Sequence, residues 1–280
     1  MHTARRLWST VEPLHDVIYF WPGIRDAGKA LGLRGYWMTY FAYRAAPLGA
    51  VGAGPVIATF AGFEPSMVAK ALPDAWTRAT PAQCLDARLE AATTGLRSVD
   101  VDEDACARAV TMLAPVLAAA DATGRALFAA NAELPLSADP VAALWQVTTL
   151  LREHRGDGHV AALVAAGLSG LDAIQLQVAL GRYPSEVMRG VRGWSAEEWA
   201  AGVVGLQARG LLSGDSLTSA GRELLADIEA RTDAAAWDGA LAPLGSSGVD
   251  EMIEMLSTSV EAVYASGWLP EVNPTGVPRA

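Results

Sequence analysis

The amino-acid sequence predicts a mainly α-helical protein with one small β-hairpin, organised as two similar halves with a helical linker between them. Three observations predict it. Apolar residues recur at helical spacing over most of the chain, and period-two alternation is scarce. Helix starts are marked by Asp139-Pro140 and by Ser195-Ala196-Glu197-Glu198, a serine cap with a glutamate at the third helical position. Glycine-led segments also recur: Gly32-Leu33-Arg34-Gly35 is echoed by Gly167-Leu168-Ser169-Gly170, and Gly62-Phe63-Glu64-Pro65 by Gly193-Trp194-Ser195-Ala196, at offsets of 135 and 131 residues. Read as a tandem duplication, the echo gives each half a helix-turn-helix-like unit and leaves a natural pocket between them. Read as chance, it carries no such implication.

In chain order, residues 11–20 are read as a helix that puts His15 and Tyr19 on one face, four residues apart. Residues 31–44 form an aromatic helix ended by Pro47. Helices are expected over 51–60 and 64–72, the second with Pro65 in its first turn and Pro73 at its end. Amphipathic helices at 81–94 and 103–119 are separated by the turn-prone 95–102, and a short helix follows at 121–132. Asp139 caps a helix over 141–153, Gly156-Asp157-Gly158 breaks the pattern, and 159–166 resumes it. Further helices are expected at 169–180, 195–209, 219–232 and 249–264. The tight turn Ser213-Gly214-Asp215-Ser216 lies between the apolar steps Leu211-Leu212 and Leu217. Helix, short hairpin, helix is the winged-helix arrangement.

Length and composition narrow the function classes. With 280 residues, 51% apolar and 19% charged, the chain fills one large or two modest cores, which excludes a mainly disordered protein. The longest apolar stretch, 45–63, is interrupted by Pro47, Gly49, Gly52, Gly54 and Pro55, and so is no membrane span. The N-terminus places Glu12, Pro13 and His15 where a signal peptide needs an unbroken apolar run, so a cytoplasmic protein is expected. Cys84 and Cys106 have no CxxC spacing and read as structural thiols of a reducing compartment. The net charge of −10, with Lys29 and Lys70 as the only lysines, disfavours a polyanionic partner, because phosphate neutralisation drives nucleic-acid affinity. Arginine-rich, lysine-poor usage fits a high-GC genome.

The segment from Gln207 to Leu212, followed by Leu217-Thr218-Ser219-Ala220-Gly221-Arg222-Glu223-Leu224-Leu225, resembles the MarR-type winged-helix regulators. Together with Tyr40-Phe41-Ala42-Tyr43-Arg44-Ala45-Ala46-Pro47-Leu48-Gly49, residues 151–163 and Arg192-Gly193-Trp194, it makes the chain similar to an actinobacterial family of MarR-like helix-turn-helix proteins of unknown function. The resemblance implies a helix-turn-helix-like unit at 1–80, a helical linker at 81–135, a winged-helix domain at 136–240, and a last helix and tail at 241–280. The sequence departs from the MarR pattern where DNA would be touched. The wing tip is short and acidic at Asp215, and the candidate recognition helix opens with Glu197 and Glu198. Carboxylates beside phosphate cost affinity instead of releasing counterions.

The residues that carry chemistry cluster around two glycines. His154, Asp157 and His159 have the spacing H-x2-D-x-H, which faces three ligands toward one metal if the chain bends there, with His15 or Glu12 as a fourth. The other reading is helix capping by Asp157, with Arg152 and Arg155 pairing locally with Glu153 and Asp157. His15 and Tyr19 can serve as an acid–base pair, or His15 as the axial ligand of a haem. Tyr36, Trp37, Tyr40, Phe41, Tyr43 and Arg44 form the densest aromatic block. It is either core or the wall of a pocket for a small apolar or aromatic ligand, with Arg44 and Arg155 for an anionic group and Trp145 and Gln146 joining. No nucleophile elbow, Walker loop, dinucleotide fingerprint or HExxH occurs. The expected function is small-molecule binding on a redeployed winged-helix scaffold, extending to an enzyme of specialised metabolism that uses His15, Tyr19, His154, Asp157 and His159. The competing expectation is a ligand-responsive transcription regulator.

Overall fold

The computed structural model describes residues 1–271 and 273–276. It is mainly helical, with a single two-stranded hairpin among the described residues. The helices are α1 (Thr3–Phe20), α2 (Gly23–Ala30), α3 (Gly35–Ala45), α4 (Ala53–Phe60), α5 (Pro65–Ala71), α6 (Pro81–Arg97), α7 (Glu103–Ala118) and α8 (Ala126–Ala132). After them come α9 (Pro140–Ala165), α10 (Gly170–Ala179), α11 (Ser185–Arg192) and α12 (Ala196–Ala208). The hairpin strands β1 (Leu212–Ser213) and β2 (Ser216–Leu217) precede α13 (Ser219–Ala236) and α14 (Gly245–Ala265). No single helix among the described residues is long and apolar enough to cross a membrane.

Local chemistry explains the boundaries. The Asp139 carboxylate accepts from the Val141 and Ala142 amides, and Pro140 occupies the first turn of α9. Reciprocal capping boxes open α6 (Thr80/Gln83), α10 (Ser169/Asp172) and α12 (Ser195/Glu198). The hairpin pairs Leu212 with Leu217 and Ser213 with Ser216 across a two-residue turn, in which Gly214 takes the positive φ of 58° that the turn demands.

One sequence expectation is corrected here. Gly156-Asp157-Gly158 does not break a helix, and α9 runs unbroken through it. Two glycines cost about 1 kcal/mol each in a helix interior, and tertiary ties oppose that cost. Asp157 caps α8 by accepting from the Leu127 and Phe128 amides, and Arg155 is anchored to Glu229 and Asp233 on α13.

Two apolar clusters organise the molecule. The larger one joins α1, α3, α6, α7, the first half of α9 and α14, with Leu14, Phe41, Leu96, Leu113 and Leu144 fully buried. The segment 81–135 therefore supplies part of the main core through α6 and α7. The smaller cluster gathers Leu163, Leu176, Leu206, Leu217 and Ile228 from the end of α9, α10, α12, the hairpin and α13.

Apart from α8, which has no counterpart among the described residues, the element order occurs twice. A long helical stretch (α1 and α2; α9) is followed by three short helices (α3, α4, α5; α10, α11, α12) and two long ones (α6, α7; α13, α14). Only the second series carries a hairpin among the described residues. The packing is reciprocal, with α1 against α14 and α9 against α7, so the last helix of each series covers the first helix of the other. The sequence echoes fall at the starts of α3 and α10, and of α5 and α12.

Candidate functional site

Between the two series lies a cleft of about 310 Å³. One wall is aromatic: Tyr19 and Phe20 of α1, Tyr36, Trp37 and Tyr40 of α3, and Phe60 and Phe63 around the end of α4. These rings stack edge to face, with Trp37, Tyr40 and Phe41 all within 5.0–5.8 Å of Phe63. The facing wall comes from α9, α10 and α11, and Pro274 and Thr275 of the C-terminal segment close one side.

Four arginines reach the cleft: Arg44, Arg152, Arg155 and Arg192. Three of them are compensated. Glu153, itself buried, accepts from Arg44 at 2.9 Å and from Arg152 at 3.0 Å, and Arg152 also reaches Glu12 at 2.9 Å. Burial works to raise the Glu153 pKa, but Arg44 and Arg152 hold it below the ordinary value. Glu12 and Asp16, one turn apart on α1, are pushed the other way by burial and, for Asp16, by the Glu12 charge. Arg155 is shared between Glu229 and Asp233.

Arg192 differs. Among the described residues no carboxylate lies within ion-pair distance of it. Its guanidinium stacks on the Phe63 ring at 4.4 Å, donates to the Pro274 carbonyl at 3.0 Å, and leaves its solvent-shielded Nε without a hydrogen-bond partner. Burial lowers its pKa. Nearby, the buried Gln177 Oε1 on α10 is also without a partner.

The predicted residues divide cleanly. Tyr19, Trp37, Tyr40, Arg44, Arg155, Asp157 and His159 line the cleft. His15, Phe41, His154, Trp145 and Gln146 do not. Phe41 and Trp145 are core, and Trp145 stacks on His15 with centroids 5.8 Å apart. Gln146 faces away, tied to the Ser137 amide and the Pro135 carbonyl. His154 lies edge-on to Phe128, and burial, with Arg125 nearby, pulls its pKa down to about 4. His159 bonds Thr232 at 3.0 Å.

The expected metal set is not assembled: no group of three or more metal-ligating residues converges among the described residues. The reason is the unbroken helix. Positions 154 and 157 are neighbours on α9, position 159 lies on another face, and His15 is held elsewhere. A haem at His15 does not fit either, because both ring nitrogens are engaged and the void beside it is about 20 Å³, room for one water.

His15 instead holds Tyr19. Thr149 donates to the Trp145 carbonyl at 2.8 Å, so its oxygen accepts from His15 Nδ1 at 2.9 Å. His15 Nε2 is then the acceptor for the Tyr19 hydroxyl at 3.0 Å. Burial drives the His15 pKa well below its ordinary value and that of Tyr19 well above, so both stay neutral and no proton passes between them at rest.

Sequence reasoning missed Arg192, Phe60 and Phe63 as cleft residues. The echo was the available signal, because it pairs the loop holding Phe63 with the turn after Arg192. Those two turns touch: the Glu64 amide donates to the Arg192 carbonyl at 2.9 Å, and Trp194 Nε1 donates to the Gly62 carbonyl at 3.1 Å. Gly170 packs so tightly against the Ala61 carbonyl that a Cβ would overlap it.

The turn between α11 and α12, with Gly193 at φ 82°, has helix-turn-helix form, and residues 4–270 match a family model described as a helix-turn-helix family. The chain belongs to this helix-turn-helix family. No curated protein and no solved structure matches it. In this helix-turn-helix protein α12 is the helix that follows that turn. Glu197 and Glu198 are exposed in its first turn, and it contains no lysine or arginine.

Proposed function

We propose that this protein binds a flat, largely apolar small molecule carrying one anionic group in the cleft between its two helical series. The observation that carries the reading is Arg192. Arg44 and Arg152 are matched by Glu12 and Glu153, and Arg155, with Arg5, is matched by Glu229 and Asp233, leaving Arg192, among the described residues, as the one cation of the cleft without a carboxylate. A partly buried guanidinium stacked on an aromatic ring, with a shielded free N–H, suits a carboxylate or enolate oxygen on a planar ligand. Gln177, Tyr40 and His159 add polar contacts, and the aromatic wall supplies apolar area.

Binding is favoured over turnover because Tyr19 and His15, the best acid–base pair, both rest neutral with their proton affinities shifted against exchange. The experiment is titration with 2-naphthoate and with its neutral amide, followed by tryptophan fluorescence and calorimetry. Binding of 2-naphthoate that is lost in Arg192→Gln supports the reading. Equal affinity for acid and amide, or no change on Arg192→Gln, refutes it.

The second reading, a ligand-responsive DNA-binding regulator of MarR type, draws on the helix-turn-helix form and the hairpin. Against it stand the acidic start of α12 and the turn-to-turn contacts. Two recognition helices that read successive major grooves sit about 34 Å apart, whereas here the turns of the two units hydrogen-bond to each other. Tight, salt-sensitive, sequence-specific retardation of its own promoter DNA would favour the regulator.

A further inference from the structure

A second cavity, of about 190 Å³, lies nearer the N-terminal end of α9 than the cleft does, walled by α6, α7, α8 and α9. Its lining is mostly aliphatic, including Leu117, Leu134, Leu136, Val147 and Leu150, but Arg88 of α6 is part of it. Arg88 is only 6% exposed. Its two hydrogen bonds go to neutral oxygens, the Tyr43 carbonyl at 3.0 Å and Asn131 Oδ1 at 2.9 Å, and it lies 5.5 Å above the Trp145 ring. Among the described residues no carboxylate is within ion-pair distance, and Glu153, which lines the same small void as Arg88, favours its charge only from further away. Burial pulls its pKa down to about 10.

An arginine buried this deeply without a direct counter-charge is expensive, and natural proteins keep such groups paired. Here a direct counter-charge has a place to sit, because Arg88 lines a cavity with mostly aliphatic walls. We infer that this cavity is a second ligand site, taking a small aliphatic monocarboxylate with its head on Arg88 and its chain along the leucines of α7 and the 134–136 loop. Size narrows the class further. A dry cavity of about 150 Å³ holds a benzene, so 190 Å³ accommodates a molecule of roughly eight non-hydrogen atoms, the size of a six-carbon acid.

The site is separate from the cleft. Arg192 lines the cleft, whereas Arg88 lines the second cavity and the small void beside His15 but not the cleft.

The test uses the whole chain with hexanoate and hexanamide, read by calorimetry and by ligand-induced shift of the melting temperature. Hexanoate is expected to bind at least tenfold tighter than hexanamide. Arg88→Gln should abolish that preference, while Arg192→Gln leaves it intact. Because Arg88→Gln also loosens the core, Ala118→Trp is the second variant. Ala118 is exposed at the cavity wall on the last turn of α7, so the indole narrows the mouth without unpairing a buried group. It should weaken hexanoate binding with little change in the unliganded melting temperature. Equal affinity for acid and amide would overturn the assignment of Arg88 as the anion anchor. Hexanoate binding that persists undiminished in Ala118→Trp, or that is lost in Arg192→Gln, would overturn the cavity as its site.

Discussion

If Arg192 is kept for a ligand while Arg44 is kept for the fold, removing each should have opposite consequences for the free protein. Arg44→Gln strips Glu153 of its hydrogen bonds from Arg44 Nε and Nη2 and leaves a buried carboxylate with Arg152 alone. Removing one partner of a buried ion pair costs about 3–5 kcal/mol. For a chain of this size each kcal/mol lowers the melting temperature by about 2–3 °C, so Arg44→Gln should fall by roughly 10 °C. Among the described residues Arg192 has no carboxylate to orphan, and what it loses is one bond to the Pro274 carbonyl and its stacking on Phe63. Against that loss stands relief from holding a shielded charge, so Arg192→Met should change stability by less than about 1 kcal/mol and can raise it. Paired calorimetric melts of the ligand-free variants decide the matter. Equal, large losses would mean that Arg192 is balanced by its own surroundings, and the argument for an anionic ligand would fall with that result.

Three further outcomes are expected. His154 and Asp157 should oppose each other in acid. The depressed His154 pKa of about 4 contributes stability that is lost as pH falls from 6.5 toward 4, worth about 3 kcal/mol at full extent. Burial raises Asp157 to about 6, which makes the folded state gain stability over nearly the same range as pH falls. Denaturant melts of Asp157→Asn should therefore show a steeper acid loss than wild type between pH 6 and 4, and identical slopes would contradict the raised Asp157 pKa. Gly170→Ala drives a methyl group into the Ala61 carbonyl and should cost about 1–3 kcal/mol while exposing the cleft to a polarity-sensitive dye; unchanged dye access would show that the turns do not gate it. His15→Ala empties a core position and unpairs Tyr19 and Thr149, so it should cost about 2–4 kcal/mol, whereas His159→Ala loses one hydrogen bond and should cost about 1 kcal/mol. Urea melts that rank them the other way would return His15 to the list of functional groups.

Much of the fold was legible because it is written locally. The Asp139 cap, the Ser195/Glu198 box and the Gly214 turn each satisfy backbone groups within four residues, and the structure uses all three as the sequence predicts. The glycine pair at 156 and 158 misled because propensity is a local quantity, while the forces that keep α9 whole act from α8 and α13. The cleft was half legible. The aromatic block identified Trp37, Tyr40 and Arg44, but the same density made Phe41 look like a wall residue, and nearness to the His154–His159 cluster did the same for Trp145, when both are core. Arg192 carried no local mark at all. What distinguishes it is a counter-charge that never arrives, and that depends on which carboxylates the tertiary fold brings near.

The doubled helix order has a consequence for what the cleft can recognise. In a dimer of identical chains, a site on the two-fold axis must present the same groups from both sides, so it suits a symmetric guest or two guests at once. Here both series lie on one chain, and each is free to change alone. At the 135-residue offset Tyr40 corresponds to Gln175 and Arg44 to Ala179, and at the 131-residue offset Arg192 corresponds to Ala61. Gln175 is buried against the Trp199 carbonyl and off the cleft, so the lip of the first series offers rings and a paired cation, while that of the second offers the Gln177 amide and Arg192. Such a site can tell the head of a molecule from its tail, and it can hold a single copy in one orientation.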